Sequence, residues 1–300
     1  MRHNRRILDA LAPILLRLWA GLTALLPYSA TRVVGNAIGS LTYLLRTRSA
    51  RNTEVNLRYC YPAMRDAQRK ALAQQSLKHT GRLFAEAGIT FNWPEEKLKA
   101  LITGVDGFAP LQRALDEHRG ILVLAPHFGN WELFALYFGR YGFMALYDPP
   151  KIESIDQMIR ESRERTGATL LPIDAQGVRG VLQALKRGKP VSILPDQVPA
   201  RSAGVYAPFF NRPALTMTFA HRLIRSTNPL VVLGSCTRSD EGFRIAFHEV
   251  DEAIYAEDVE ASVAAMNAAI EKLVQGNPEQ YQWEYKRFKK PPAGTADPYK

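Results

Sequence analysis

The chain has 300 residues, enough for one large domain or two small ones, and 46% of them are hydrophobic, so a sizeable core can form. Cys60 and Cys236 are the only cysteines, which argues against a disulfide framework and a cysteine-based metal site and fits a reducing compartment. The net charge of +10 lies at residues 1–51 and 281–300, which predicts attraction to a polyanion such as nucleic acid, anionic lipid or an acidic carrier protein.

An apolar stretch at residues 7–26 follows Arg2, Arg5 and Arg6. Its leucines recur at helical spacing, but the charged Arg17 near the centre is costly in a membrane-spanning helix. We therefore predict a helix that lies in the bilayer interface and is anchored by its arginines. A single membrane span and a core helix of a soluble protein are the alternatives.

Apolar runs of strand length and amphipathic runs of helical length alternate after residue 93. Strands are predicted at 100–103, 121–125, 143–147, 169–173, 190–194, 230–236 and 243–248. Helices are predicted at 107–117, 154–165, 178–186, 215–225 and 256–274. This alternation predicts an α/β fold with a mostly parallel central sheet flanked by helices. We expect membrane-associated helices at residues 1–50 and the α/β domain at residues 51–300.

Residues 120–139 read as a buried strand, a short turn and a helix. Asn130 is a suitable N-cap for the helix, with His127 in the turn and Glu132 in the first helical turn. Ligands and reacting groups collect at the carboxyl end of a strand in an open parallel sheet. The stretch therefore predicts a reactive site at this edge.

His127 and Glu132 together suggest a general base and the carboxylate that orients it. Neutral imidazole accepts a proton from a hydroxyl near neutral pH, and a carboxylate on its other nitrogen fixes the tautomer. A hydrogen-bonded surface histidine is the ordinary alternative. A metal-dependent hydrolase is another, in which His221 or Asp196 would supply a third ligand.

The segment His-Phe-Gly-Asn-Trp-Glu at 127–132 resembles the His-x4-Glu signature of the late lipid A acyltransferases. The resemblance implies a glycerol-3-phosphate acyltransferase-like fold and transfer of a fatty acyl chain from acyl carrier protein to a lipid hydroxyl. It implies no metal and no cofactor. The sequence lacks a Gly-x-Ser-x-Gly nucleophile elbow, which argues against a covalent acyl-enzyme.

Further polar residues match the same family. Arg163 and Arg165 precede Gly167 as in its Arg-x-Arg-x-Gly region, and the resemblance implies that they bind the phosphosugar of the acceptor. A solvated, salt-bridged helix is the alternative for these arginines. Asp196 follows a buried strand in a Pro-Asp-Gln motif, and we expect it to position Arg163 or the acceptor. We expect backbone N–H groups near Asn130, or Arg163, to stabilise the oxyanion.

The sequence thus predicts an acyl carrier protein-dependent acyltransferase that acts on a lipid A precursor at the cytoplasmic face of the inner membrane of a Gram-negative cell. Acyl carrier protein and an anionic lipid or phosphoglycolipid are the expected partners, and nucleic acid is not. Residues 147–150, Tyr-Asp-Pro-Pro, depart from the Tyr-Arg usual in the family. The same chemistry on a glycerophospholipid, an ornithine lipid or a phosphatidylinositol mannoside is an alternative. A non-enzymatic basic adaptor is the remaining alternative.

Overall fold

A computed structural model describes the backbone of residues 2–150 and 152–300 and the side chains of residues 13–150 and 152–300. The predicted anchors Arg2, Arg5 and Arg6 lie outside the described side chains. The α-helices are α1 (Arg2–Ala24), α2 (Tyr28–Leu44), α3 (Arg48–Cys60), α4 (Asp66–Ala85), α5 (Ala87–Asn92), α6 (Glu95–Lys99), α7 (Ala109–Asp116), α8 (Trp131–Gly139), α9 (Glu153–Glu164), α10 (Ala175–Lys186), α11 (Phe219–Thr227) and α12 (Val259–Gly276).

The strands form one large sheet and one hairpin. They are β1 (Ile102–Asp106), β2 (Ile121–Leu124), β3 (Met144–Tyr147), β4 (Thr169–Pro172), β5 (Pro190–Ile193), β6 (Gly204–Phe209), β7 (Arg212–Met217), β8 (Leu230–Arg238) and β9 (Phe243–Glu249). The large sheet has the order β1-β9-β8-β2-β5-β3-β4, and β8, β2, β5, β3 and β4 run parallel. Strands β9 and β1 run the opposite way at one edge. The predicted mostly parallel, helix-flanked sheet is confirmed.

Strand β2 lies between β5 and β8 and is buried on both faces. Leu122 and Leu124 pack into the hydrophobic cluster on one side of the sheet, with α10, α11 and α12. Ile121 and Val123 pack into the cluster on the other side, with α7 and α8. An uninterrupted apolar run suits a strand covered on both faces, which is why β2 was predictable.

The segment between β5 and α11 differs from the prediction. A helix was expected from residue 215, but residues 204–217 form the antiparallel hairpin β6–β7, and α11 begins at Phe219. Phe210 and Asn211 both have positive φ at the turn, as a two-residue hairpin turn of matching twist requires. The sequence Phe-Asn lacks the glycine that normally marks such a turn, so the hairpin signal was weak.

Helices α1 and α2 pack against the α/β part of the chain. In α2, Gly35 and Gly39 allow the backbone of α4 to approach so closely that a Cβ at either position would meet backbone atoms within 2.4 Å. Trp93 Nε1 donates to the carbonyl of Ala24 at the end of α1. The domain boundary at residue 50 remains a prediction.

The opposite side of α1 and α2 presents apolar side chains to solvent. Its exposed members are Ile14, Leu15, Leu18, Leu22, Leu25, Val33, Leu41, Leu44 and Leu45. Among the described residues, no helix combines the length and apolarity needed to cross a bilayer.

Candidate active site

His127 and Asp196 come from neighbouring parallel strands. Strands β2 and β5 pair in register, with Leu124 opposite Ile193, and each strand ends at that residue. His127 follows Leu124 by the same number of residues as Asp196 follows Ile193. The sheet therefore brings the two side chains to one point of its carboxyl edge. This is the place where open α/β sheets collect reacting groups.

The two residues share two hydrogen bonds. His127 Nδ1 lies 2.8 Å from Asp196 Oδ1, and the His127 backbone N–H donates to Oδ2 at 3.0 Å. Burial alone would raise the pKa of Asp196, but the His127 charge and these bonds lower it below its ordinary value. An ionised Asp196 accepts a hydrogen bond from the Nδ1–H group, which leaves the lone pair of the neutral ring on Nε2.

This contact corrects the sequence prediction. Glu132 was expected to orient the imidazole and Asp196 to position Arg163 or the acceptor, but in the structure Asp196 contacts the imidazole and Glu132 contacts Arg163. Glu132 accepts two hydrogen bonds from Arg163, at 2.9 and 2.5 Å, while Asp196 holds His127. Glu132 is carried by the first turn of α8 toward α9, because α8 begins only after Asn130. The chain supplies one carboxylate for the imidazole and another for the guanidinium.

Arg163 lies on α9 and contacts Glu132, which is five positions after His127. Burial lowers its pKa, but the charge of Glu132 and the bidentate bond from Arg163 outweigh that effect and raise it. Its guanidinium carbon also lies 5.4 Å from the ring centroid of Tyr147, and that of Arg160 lies 5.0 Å from the same ring. Two fixed cations over one aromatic ring suit a phosphorylated ligand.

Interactions with the rest of the chain fix the turn that carries His127. Gly129 has φ +59°, and a Cβ there would lie 1.9 Å from the carbonyl oxygen of Cys236, so only glycine fits. Its N–H donates to the Gln280 carbonyl at 2.9 Å, and the Asn130 N–H donates to that of Cys236 at 2.9 Å. Strand β8 and the C-terminal segment therefore set the position of the imidazole.

Asn130 is the predicted N-cap of α8, and this prediction is confirmed. Its side-chain oxygen accepts from the N–H of Leu133 at 2.9 Å, and its amide donates to Glu86 Oε2 at 2.8 Å. The side chain is buried and both its ends are bonded within the protein. In this arrangement Asn130 holds the turn and presents no group to a substrate.

Glu86 and Arg238 form an ion pair beneath the turn, with three N···O contacts between 2.7 and 3.0 Å. Both side chains are buried. Burial lowers the pKa of Arg238, but Glu86 outweighs that effect and raises it. Sequence reasoning did not identify this pair, because its residues lie in elements far apart in sequence and no local pattern marks them.

Arg165 lies apart from the His127 site. It donates to the backbone carbonyls of Trp93 at 2.8 Å and Thr90 at 2.7 Å, so it ties the end of α9 to α5 and to the residue after α5. It also lines a cavity of about 420 Å³ together with Arg17. Its predicted contact with the acceptor stays a prediction.

Gln197 is a polar neighbour of the imidazole that sequence reasoning did not assign. Its amide Nε2 lies 3.1 Å from Nε2 of His127. The Pro-Asp-Gln motif was the available signal, since Gln197 directly follows Asp196.

The metal-site alternative required three converging ligands. Among the described residues, no three histidine, cysteine, aspartate or glutamate side chains are arranged to hold an ion. His221 lies on α11, and Asp196 is engaged with His127.

Known proteins similar to this chain share one activity. The family model described as bacterial lipid A biosynthesis acyltransferase matches residues 1–290. The lipid A biosynthesis palmitoleoyltransferase and the lipid A biosynthesis lauroyltransferase of Escherichia coli K12 are each 28% identical over 290 residues, covering 94% of both chains. A lipid A biosynthesis acyltransferase of Haemophilus influenzae is 27% identical over 274 residues, covering 89% of this chain and 86% of its own.

Proposed function

Because the chain belongs to the bacterial lipid A biosynthesis acyltransferase family, we propose that it transfers a fatty acyl chain from acyl carrier protein to a hydroxyl of a lipid A precursor. The main structural support for this proposal is the contact of Asp196 with Nδ1 of His127. It leaves Nε2 of an incompletely buried ring as the basic nitrogen.

In this mechanism His127 acts as the general base. Its Nε2 takes the proton of the acceptor hydroxyl while the oxygen attacks the thioester carbonyl. The tetrahedral intermediate then expels the thiolate of the carrier, which receives the proton from the imidazolium. Asp196 stabilises the imidazolium between these two proton transfers, as an orienting carboxylate does.

The transfer is direct, without an acyl-enzyme. Cys60 and Cys236 are both buried, and burial raises the pKa of each thiol. A raised thiol pKa disfavours the thiolate that a cysteine nucleophile needs. The acyl chain therefore passes from the thioester sulfur to the acceptor oxygen in one addition–elimination.

Arg163 binds a phosphate of the acceptor, and Glu132 holds it in place. The bidentate Glu132 contact satisfies Nε and Nη2 of Arg163, which leaves Nη1 as a donor. Asp148 is acidic where the family usually places arginine, so the assay below compares several acceptor headgroups.

The apolar face of α1 and α2 lies in the cytoplasmic leaflet of the inner membrane. Leu15, Leu18 and Leu22 form one exposed stripe along α1, while the other side of the helix is docked on α5. Exposed arginines beside this face would interact with anionic headgroups. The site would then meet a lipid acceptor at the surface and a carrier protein arriving from the cytoplasm.

The test is an acyl-transfer assay with the full chain in lipid vesicles. Acyl carrier protein thioesters of mixed chain length are incubated with a tetra-acylated lipid A precursor, and the products are read by mass spectrometry. We expect one added acyl chain with wild type and none with His127→Ala. Full turnover by His127→Ala would contradict the base mechanism.

Parallel reactions separate the alternatives. A glycerophospholipid, an ornithine lipid and a phosphatidylinositol mannoside replace the acceptor in turn, and acyl coenzyme A replaces the donor. Loss of activity after exhaustive chelation would favour the metal-dependent hydrolase instead.

A further inference from the structure

Gln197 occupies the nitrogen of His127 that must accept the substrate proton. Asp196 accepts from Nδ1, so Nε2 carries the lone pair, and the Gln197 amide at 3.1 Å donates to it. In the imidazolium form Nε2 also carries a hydrogen, so two hydrogen-bond donors would face each other. The contact therefore fits the neutral imidazole, and it covers the lone pair in the resting enzyme.

The contact with the imidazole is the hydrogen bond that holds the Gln197 side chain at this position. Its neighbour Asp196 is buried and held by His127, which fixes the backbone at the end of β5. The Gln197 side chain is half-buried and, in the part of the chain that the structure describes, makes no hydrogen bond except the one to the imidazole. Rotation of the side chain away from the imidazole breaks this hydrogen bond.

The backbone donors of the His127 turn are already used. The N–H groups of His127, Gly129 and Asn130 donate to Asp196, to the Gln280 carbonyl and to the Cys236 carbonyl in β8. We expected backbone N–H groups near Asn130, or Arg163, to stabilise the oxyanion, and these three N–H groups are already bonded within the protein. The Gln197 amide is a side-chain donor next to Nε2.

We propose that Gln197 is a catalytic residue with two successive contacts. Its amide caps Nε2 of His127 at rest, and the acceptor hydroxyl then displaces it. The displaced amide, still within reach of the same nitrogen, donates to the thioester carbonyl oxygen as that oxygen becomes an anion. This inference rests on the proposed acyl transfer and names one of its oxyanion donors.

The step moves no proton through Gln197. The acceptor O–H proton goes to His127, the new C–O bond forms, and the carbonyl electron pair becomes the oxyanion. When the oxyanion re-forms the carbonyl, the C–S bond breaks. The thiolate leaves and takes the proton from the imidazolium. The amide donates a hydrogen bond to the oxyanion and remains neutral throughout.

Turnover of Gln197→Ala and Gln197→Glu is the first measurement. Loss of one oxyanion donor lowers kcat about 10²–10³-fold, and we expect that loss in both variants with the KM for the carrier thioester nearly unchanged. Gln197→Glu keeps the shape of the side chain and replaces the donor by an acceptor, so it separates donation from packing. Gln275→Ala, an exposed glutamine on α12, is the matched control.

Carbethoxylation of His127 by diethyl pyrocarbonate is the second measurement and needs no substrate. The reagent attacks the lone pair at Nε2, so we expect the His127 peptide of Gln197→Ala to react several-fold faster than that of wild type. An unchanged rate would overturn the capping contact. Circular dichroism and thermal unfolding verify that both variants are folded.

The outcomes separate this inference from the proposed function. An inactive wild type with every acceptor would refute the function itself. An active wild type with unchanged kcat in Gln197→Ala, or with a change in KM alone, would overturn the role of Gln197 and leave the His127 mechanism standing.

Discussion

His127 and Asp196 lie 69 positions apart in sequence, yet their side chains meet at 2.8 Å between Nδ1 and Oδ1. The reason is the register of β2 and β5, whose last residues are opposite each other. Parallel strands that end level with each other deliver equivalent positions to one edge of the sheet. The site is thus assembled by two neighbouring strand ends.

Replacing Asp196 by asparagine tests the orienting contact. An amide can donate to Nδ1 and stabilise the wrong tautomer, so we expect kcat to fall by about 10²–10⁴-fold while the fold persists. Acyl transfer and circular dichroism are the measurements. Asp240→Asn, an exposed aspartate paired with Arg32, is the control and should retain wild-type turnover. Equal turnover of the Asp196 variant and wild type would remove Asp196 from the mechanism.

A double-mutant cycle tests whether Glu132 acts through Arg163. Glu132→Ala releases the guanidinium and Arg163→Ala removes it, so each should lower kcat/KM for the acceptor by about 10–10²-fold, as loss of a positioned charge contact does. The kcat/KM of the double variant should be no lower than that of the less active single variant, because both changes remove the same contact. If the two losses multiplied, Glu132 would have a separate role in catalysis.

Gly129→Ala tests the fixation of the turn. The alanine Cβ would lie 1.9 Å from the Cys236 carbonyl oxygen at a positive φ. Gly142→Ala is the matched control, because Gly142 also has positive φ but no atom within 4 Å of the added Cβ. We expect Gly129→Ala to lower the free energy of unfolding by about 2 kcal/mol more than the control, the excess being the steric clash. Urea denaturation measures both, and equal effects would mean that the β8 contact is unimportant.

Replacing the buried Glu284 should give a gain in stability that depends on pH. Glu284 follows the C-terminal segment that holds the turn, and its buried Oε2 has no hydrogen-bond partner among the residues that the structure describes. Burial raises the pKa of Glu284, so its contribution to stability is complete at low pH and is lost as pH rises through the folded-state pKa. Glu284→Gln should therefore raise the free energy of unfolding at pH 7 and give no gain near pH 4, as urea titrations at the two pH values would show. A gain of equal size at both pH values would contradict the assignment.

The double variant Leu18→Ser/Leu22→Ser tests the membrane face. Both side chains are exposed on α1, and transfer of each leucine into lipid contributes about 1.5–3 kcal/mol. We expect at least a tenfold loss of binding to vesicles with anionic lipid, measured by co-sedimentation. Ile173→Ser replaces an equally exposed apolar residue at the end of β4 and should leave binding unchanged.

The sequence by itself determined the local pieces of this protein. The apolar run of β2, the turn with Gly129 and the Asn130 cap of α8 depend on neighbours within a few positions, and the structure contains each of them. The alternation of strands and helices likewise predicted the mostly parallel sheet. Even the Phe210–Asn211 hairpin turn is local, although its residues gave too weak a signal to be recognised.

Only the tertiary structure decided which charges meet. His127 has Glu132 nearby in sequence and Asp196 far away, and strand register together with the direction of α8 selected Asp196. The same register placed Gln197 on the imidazole. Sequence spacing describes a helix or a turn well, but contacts across a sheet depend on how strands are ordered and paired, which no single segment encodes.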